Sequence, residues 1–242
     1  MSFLPLLGNR GRIKKNCLLY FIVQSVGSLS LLLGGLLYDW RVIFGIAVLF
    51  GLLLKARLAP LHFWGGAIIN KITIVLGFTF LTWQKLIPIF LILIRTNKNY
   101  VSVIILLNVF VGSLRRLGTK CLLNVLFFSS LLHRGWAISP PLVGTVIYFL
   151  LYCLITAPIF TSPNSTNLSI LILNIAGIPP MTGFFMKLEV LQIVGFGYGS
   201  ILIISSLFML FTYARTFLNS QLYTGDFNWF TVLICIFIPL LI

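Results

Sequence analysis

The chain has 242 residues, of which 60% are apolar and 8% charged, with a mean hydropathy of +1.11. A soluble domain cannot bury that much apolar surface, so the composition points to a polytopic membrane protein. The net charge of +14 comes from 17 Lys and Arg against Asp39, Glu189 and Asp226. The basic residues sit mostly at the ends of apolar segments, so they read as topology signals and not as a nucleic-acid surface.

About twenty apolar residues span a bilayer as helix. By that rule the predicted spans are Cys17–Tyr38, Val42–Leu61, Ile72–Ile94, Tyr100–Ser113, Cys121–Ala137, Leu142–Phe160, Leu168–Val190, Gly199–Leu218 and Trp229–Ile242. Connections are brief, and the run 161–167 is the only clearly polar one. The expected architecture is therefore all-α, about nine spans in a single transmembrane domain over residues 1–242. If the spans alternate, Arg10–Lys15, Lys71, Arg115, Arg116 and Lys120 share one face, which places the amino terminus on the negative-inside side. No targeting peptide is evident at the amino terminus.

In the second span, Lys55 and Arg57 lie in a run otherwise as apolar as lipid, and Pro60 follows five residues after the lysine. A charge at that depth must face protein or water. The proline removes a backbone donor, so carbonyls are left for other groups to satisfy. A discontinuous helix beside an intramembrane charge is how transporters build ion sites. Lys85 lies inside the third span, and Lys187 follows the Gly177-Ile178-Pro179-Pro180 interruption of the seventh. Two helices are thus expected to be discontinuous.

Ammonium groups held out of bulk water can exchange protons at physiological pH. Lys55, Lys85 and Lys187, joined by water, hydroxyls, His62 and His133, would form a proton relay. Each residue also has a plainer reading. Lysines near helix ends snorkel to headgroups, a membrane histidine often hydrogen-bonds between helices, and Arg57 reads as an interfacial anchor. Ser129, Ser130 and Thr82 read as packing or hydrogen-bonding residues, and Trp40, Trp64, Trp136 and Trp229 as an interface belt. Cys17, Cys121, Cys153 and Cys235 have no metal or disulfide spacing. There is no phosphate-cradling loop or nucleophile elbow, so covalent chemistry in this chain is not expected.

Four motifs in one order carry a family resemblance. They are Lys55-x-x-Leu58-Ala59-Pro60-x-His62-Phe63-Trp64, Leu81-Thr82-Trp83-Gln84-Lys85-Leu86-x-Pro88, Ser129-Ser130-x-x-His133-x-Gly135-Trp136 and Gly177-x-Pro179-Pro180-x-Thr182-Gly183-Phe184-x-x-Lys187. Together they resemble NADH-ubiquinone oxidoreductase chain 2 of mitochondrial complex I. The resemblance implies an antiporter-like helical bundle truncated at both ends relative to the full fold, in the mitochondrial inner membrane, among other membrane-arm subunits. It implies that Lys55, Lys85 and Lys187 form a central hydrophilic axis. It also implies that NADH, FMN, iron-sulfur clusters and ubiquinone are bound by partner subunits, with no cofactor in this chain. A structural subunit with a degenerate proton path, and a subunit of a multi-subunit cation/proton antiporter, are the rival readings. The sequence departs from the family at Lys15, where a glutamate that pairs with the lysine matching Lys55 is usual, and at Gly65-Gly66, where Pro-Glu is usual.

Overall fold

The computed structural model describes residues 11–36, 41–70, 74–96, 98–118, 121–161, 165–179 and 181–221. Every regular element among them is helical: α1 (Gly11–Leu36), α2 (Arg41–Ala56), α3 (Phe63–Ile69), α4 (Ile74–Leu81), α5 (Leu86–Arg95), α6 (Lys98–Leu117), α7 (Leu122–Ile138), α8 (Leu142–Thr161), α9 (Ser165–Ala176), α10 (Thr182–Val194) and α11 (Phe196–Gln221). The ninth predicted span, Trp229–Ile242, lies outside the described residues. So do Asp39, Asp226, Trp40, Cys235, Lys71, Lys120 and Pro180.

The first eight predicted spans each coincide with a helix or a helix pair. Cys17–Leu36, Leu76–Arg95, Leu142–Thr161 and Phe196–Thr216 are long and apolar enough to cross a bilayer, and Gly45–Ala56, Asn99–Arg115 and Leu122–Ile138 are shorter apolar helices. The second span coincides with α2 and ends in the expected interruption, beyond which α3 begins, and the seventh divides into α9 and α10 at the other. A third irregularity joins α4 to α5, where Trp83–Lys85 form a 3₁₀ turn. Pro88 accounts for it, because a proline has no N–H to give to the carbonyl four residues back, at Gln84.

The bundle is organised around α7. From Val125 to Ile138 nearly every residue is buried, which makes it a helix enclosed on all sides. It packs lengthwise on α6 and also meets α3, α8 and α11, while α1 pairs with α2. The α6–α7 approach depends on absent side chains. A Cβ at Gly135 would stand 2.6 Å from Val109 Cγ2, and one at Gly112 would stand 3.0 Å from the Leu132 amide. Small residues at such crossings let apolar helices touch backbone to backbone, which is how helices associate where lipid removes the hydrophobic drive. Leu32, Leu36, Phe110, Val143, Leu154 and Phe211 are among the large apolar side chains left on the outside, as lipid contact requires.

Trp136 corrects the expected interface belt: it is buried in the centre of the bundle, although it lies close to the carboxyl end of α7. Proximity to a helix end does not place a residue at the interface when the helix itself is enclosed.

Candidate functional site

The site grows out of the two broken helices. Helix α2 ends in a reversal centred on Arg57, which adopts φ 56. Arg57 N donates to Leu54 O at 3.2 Å and Leu58 N to Leu53 O at 3.1 Å. That pair of bonds is a Schellman termination with an arginine in the left-handed position that glycine usually takes. The arrangement costs roughly 1–2 kcal/mol for an L-residue. It leaves the Ala56 and Arg57 carbonyls pointing past the helix end into an apolar interior.

Arg134, on α7, meets both. Its Nη1 donates to Ala56 O at 2.5 Å and to Arg57 O at 2.7 Å. A cation at a helix carboxyl terminus also opposes the helix dipole. Two residues further along, Ala59 N donates to Asn108 Oδ1 at 2.9 Å, and Asn108 Nδ2 donates to Ile104 O at 2.7 Å. The Ala59–Pro60 peptide is cis. Donors and acceptors freed by this interruption are therefore taken up by side chains of α6 and α7, as an irregular backbone at membrane depth requires.

The second break is built alike. Gly177 follows α9 at φ 79, with its N–H on Leu173 O at 3.2 Å and on Asn174 O at 3.0 Å. The Ala176 carbonyl accepts a hydrogen bond from Lys187 Nζ. Asn174 Oδ1 accepts from Thr182 Oγ1 at 2.8 Å and from Gly183 N at 3.0 Å, so it closes the amino end of α10 onto α9. Lys187 Nζ also lies 5.9 Å from the centre of the Trp136 ring and 4.0 Å from Met209 Sδ. Each break thus has a cation, from another element, on its terminal carbonyl.

Lys85 is fully buried, at 1% exposure. Its Nζ donates to Ser130 Oγ at 3.0 Å, Arg134 Nη2 donates to the same oxygen at 3.1 Å, and Ser130 Oγ donates to Phe127 O at 2.7 Å. His133 Nδ1 lies 2.8 Å from Tyr148 Oη, and its ring packs 5.0 Å from that of Tyr152. Lys85, Ser130, His133, Arg134, Tyr148 and Tyr152 line a cavity of about 10 Å³. That is close to the least that one water needs, and the surface it presents is almost wholly apolar, with Leu81, Ala137 and Phe149 completing the lining.

The predicted residues therefore fall into groups. Lys85 and His133 share one cavity, and Lys187 reaches the same helix at Trp136, one turn from His133. Neither Lys85 nor Lys187 snorkels, since both are buried. Lys55 stands apart from this cavity: it is half-buried in the last turn of α2, its side chain lies over Gly27 of α1, and among the described residues it makes no hydrogen bond. His62 is buried just after the break, with Nδ1 3.2 Å from Pro60 O and its ring stacked 4.4 Å from Phe63.

Arg57 is no interfacial anchor. It is wholly buried, with its guanidinium 3.5 Å from the centre of the Phe80 ring, 5.5 Å from that of Trp64, and Nη2 on Gln84 Oε1 at 3.2 Å. Tyr20, Trp64 and Phe80 form a triangle of rings with centres 6.0, 6.1 and 6.3 Å apart. The faces of Trp64 and Phe80 supply the negative potential that a buried cation lacks elsewhere. Glu189, the one acidic residue among those described, is exposed on α10.

Three site residues escape a reading of the sequence alone: Arg134, Asn108 and Asn174. Arg134 carried a usable signal, being a charge within an apolar span, the same criterion that singles out Lys55 and Lys85. Among the described residues no group of three or more His, Cys, Asp or Glu comes together as a metal site would require.

No family model matches the chain. Curated relatives do. NADH-ubiquinone oxidoreductase chain 2 of Ornithorhynchus anatinus is 26% identical over 285 residues, covering 96% of this chain and 81% of that one. The Anopheles gambiae protein of the same name is 29% identical, covering 79% of this chain and 67% of its own. That of Lampetra fluviatilis is 31% identical, covering 70% and 59%. Among solved structures, a chain of respiratory complex I from Thermus thermophilus with bound aureothin superposes with a TM-score of 0.76 at 20% identity, covering 98% of this chain and 68% of that one. A chain of the Mrp complex from Dietzia sp. DQ12-45-1b gives 0.74 at 18% identity, covering 89% and 52%. At those identities the two structures establish a shared fold, that of antiporter-like membrane subunits. The curated relatives, 26–31% identical, all bear the name NADH-ubiquinone oxidoreductase chain 2, and the chain is homologous to them.

Proposed function

We propose that this chain is a membrane-arm subunit of proton-pumping NADH:ubiquinone oxidoreductase in the mitochondrial inner membrane, one transmembrane unit that moves protons while partner subunits carry out the redox chemistry. Those partners bind NADH, FMN, the iron-sulfur clusters and ubiquinone. Lys85, His133 and Lys187 are the central relay, with Lys55 and His62 on the α2–α3 side of it. The observation that carries this reading is the burial of Lys85 and Lys187 inside the bundle. Lys85 is held there on a hydroxyl that borders a cavity of water size.

A lysine kept out of both water and lipid headgroups needs a reason to remain, and proton exchange through hydroxyls and water supplies one. His133 and Tyr148, at 2.8 Å, offer the next donor and acceptor beyond Lys85. Trp136 and the α9 break lead on to Lys187.

A second reading, a structural subunit whose path has decayed, is favoured by the isolation of Lys55 and by Lys15 in place of the family's glutamate. The third, a subunit of a cation/proton antiporter complex, draws on the likeness to the Mrp complex chain alone. In reconstituted complex, Lys85→Met separates them. A drop in protons moved per NADH oxidised, with assembly intact, supports the relay. Unchanged stoichiometry leaves the structural role, and transport without an NADH-oxidising partner selects the antiporter.

A further inference from the structure

Lys85 and the α2 break stand on different elements; Arg57 of the break bonds Gln84 beside Lys85, and a second link, to the hydroxyl that holds Lys85 itself, runs through one side chain of a third element. The Arg134 guanidinium works in two directions. Nη1 holds the carbonyls of Ala56 and Arg57 at 2.5 and 2.7 Å, while Nε and Nη2 hold Ser130 O and Ser130 Oγ at 3.0 and 3.1 Å. Ser130 Oγ in turn takes Lys85 Nζ at 3.0 Å and donates to Phe127 O at 2.7 Å. A hydroxyl has one proton to give and two lone pairs to receive. Ser130 is therefore fully committed, and any other arrangement must release Lys85, Arg134 or Phe127.

From this geometry we propose that Arg134 is a positioning residue that couples the α2 break, and with it Lys55 in the preceding turn, to the hydrogen bond of Lys85. The inference rests on Lys85 belonging to the relay. An arginine suits the task because its planar fork addresses acceptors on two elements in fixed directions, whereas an ammonium is a single point of charge. When the break shifts, the Ala56 and Arg57 carbonyls carry the guanidinium with them. Ser130 then exchanges its partners, and Lys85 is freed to bond elsewhere in the cavity beside His133 and Tyr148. When the break returns, Lys85 is fixed on Ser130 again. The state of α2 thereby sets which neighbour Lys85 addresses, without any contact between Lys55 and Lys85.

The test uses the intact complex carrying Ser130→Ala, Arg134→Lys, or both. Hydrogen–deuterium exchange is read at residues 54–59, and protons per NADH are measured on the same preparations. Ser130 is joined to that segment through Arg134, so Ser130→Ala should speed exchange there by roughly threefold or more, in the range of coupling found within one hydrogen-bond network. Arg134→Lys should do at least as much, and the double variant should add nothing to it. Arg134→Lys should also lower protons per NADH while the assembled complex still oxidises NADH. An arginine that only stabilised the fold would lower the amount of complex and leave the ratio unchanged.

Exchange at 54–59 unmoved by Ser130→Ala, or strictly additive effects of the two variants, would overturn the coupling. Should Arg134→Lys fail to assemble, Ser130→Ala keeps the arginine and decides the exchange test by itself. Lys85→Met with unchanged protons per NADH would remove the relay instead, and the exchange result would still decide whether the break and Ser130 are joined.

Discussion

Replacing Gly177 by alanine tests how the α9 break and Lys187 depend on each other. Gly177 sits at φ 79, so any L-residue there carries the left-handed cost of roughly 1–2 kcal/mol. The added methyl would also stand 2.9 Å from Lys187 Nζ and 3.1 Å from Gly183 O. Lys187 would have to withdraw from the Ala176 carbonyl, and a hydrogen bond to a charged group is worth about 1.5–3 kcal/mol. The two terms together come to roughly 2.5–5 kcal/mol. Gly195 provides the control, because it also has φ 79 but nothing within 4 Å of its would-be Cβ. Gly195→Ala should therefore show the backbone term alone. The difference, the charged hydrogen bond, corresponds to roughly one to two orders of magnitude in the opening equilibrium. Hydrogen–deuterium exchange across 174–184 and across 193–199 in the assembled complex measures both. Equal local destabilisation by the two substitutions would refute the claim that Lys187 is packed against the break.

The other expectations concern single side chains. Asn108→Leu removes the acceptor for Ala59 N while preserving volume, so it leaves a buried donor unsatisfied and should destabilise the first break by about 1–3 kcal/mol, read as faster exchange at residues 58–61. Phe80→Leu takes the closest ring face from the buried Arg57 guanidinium, which should cost about 2 kcal/mol in thermal stability of the complex; a phenylalanine-to-leucine change at an exposed site such as Phe110 should cost far less. Tyr148→Phe deletes the hydroxyl beside His133 and should lower protons per NADH with little effect on assembly, whereas a loss of assembly at normal stoichiometry would assign Tyr148 to packing.

Much of the bundle was legible before any coordinates. Hydropathy alone places eight of the nine predicted spans on observed helices or helix pairs, because a segment that must lie in lipid is apolar along its length and about twenty residues long. Pro60 and the Gly177–Pro179 run announce both breaks, since backbone chemistry at those residues is a local matter. The depth of Lys85 and Lys187 was likewise readable as charge inside an apolar run. The 3₁₀ turn that ends at Lys85 was within reach too, from Pro88 and the carbonyl that proline cannot serve.

What the order of residues could not convey is which side chains answer those local demands. The reversal at Arg57 exposes carbonyls whose partner lies 77 residues further along the chain, on a helix whose sequence shows a charge in an apolar run but not what that charge serves. Arg134, Asn108 and the Tyr148–His133 pair gained their roles only when α6, α7 and α8 came together, and Trp136 moved from expected interface to core for the same reason. Periodicity and proline record the energy of a segment in its solvent, so the sequence determines where helices run and where they must stop. Hydrogen bonding across helices depends on rotation, depth and neighbour, and those are settled by packing. The tertiary structure therefore decided that the first break and Lys85 share one arginine, while Lys55, the most conspicuous charge in the sequence, stands off to the side.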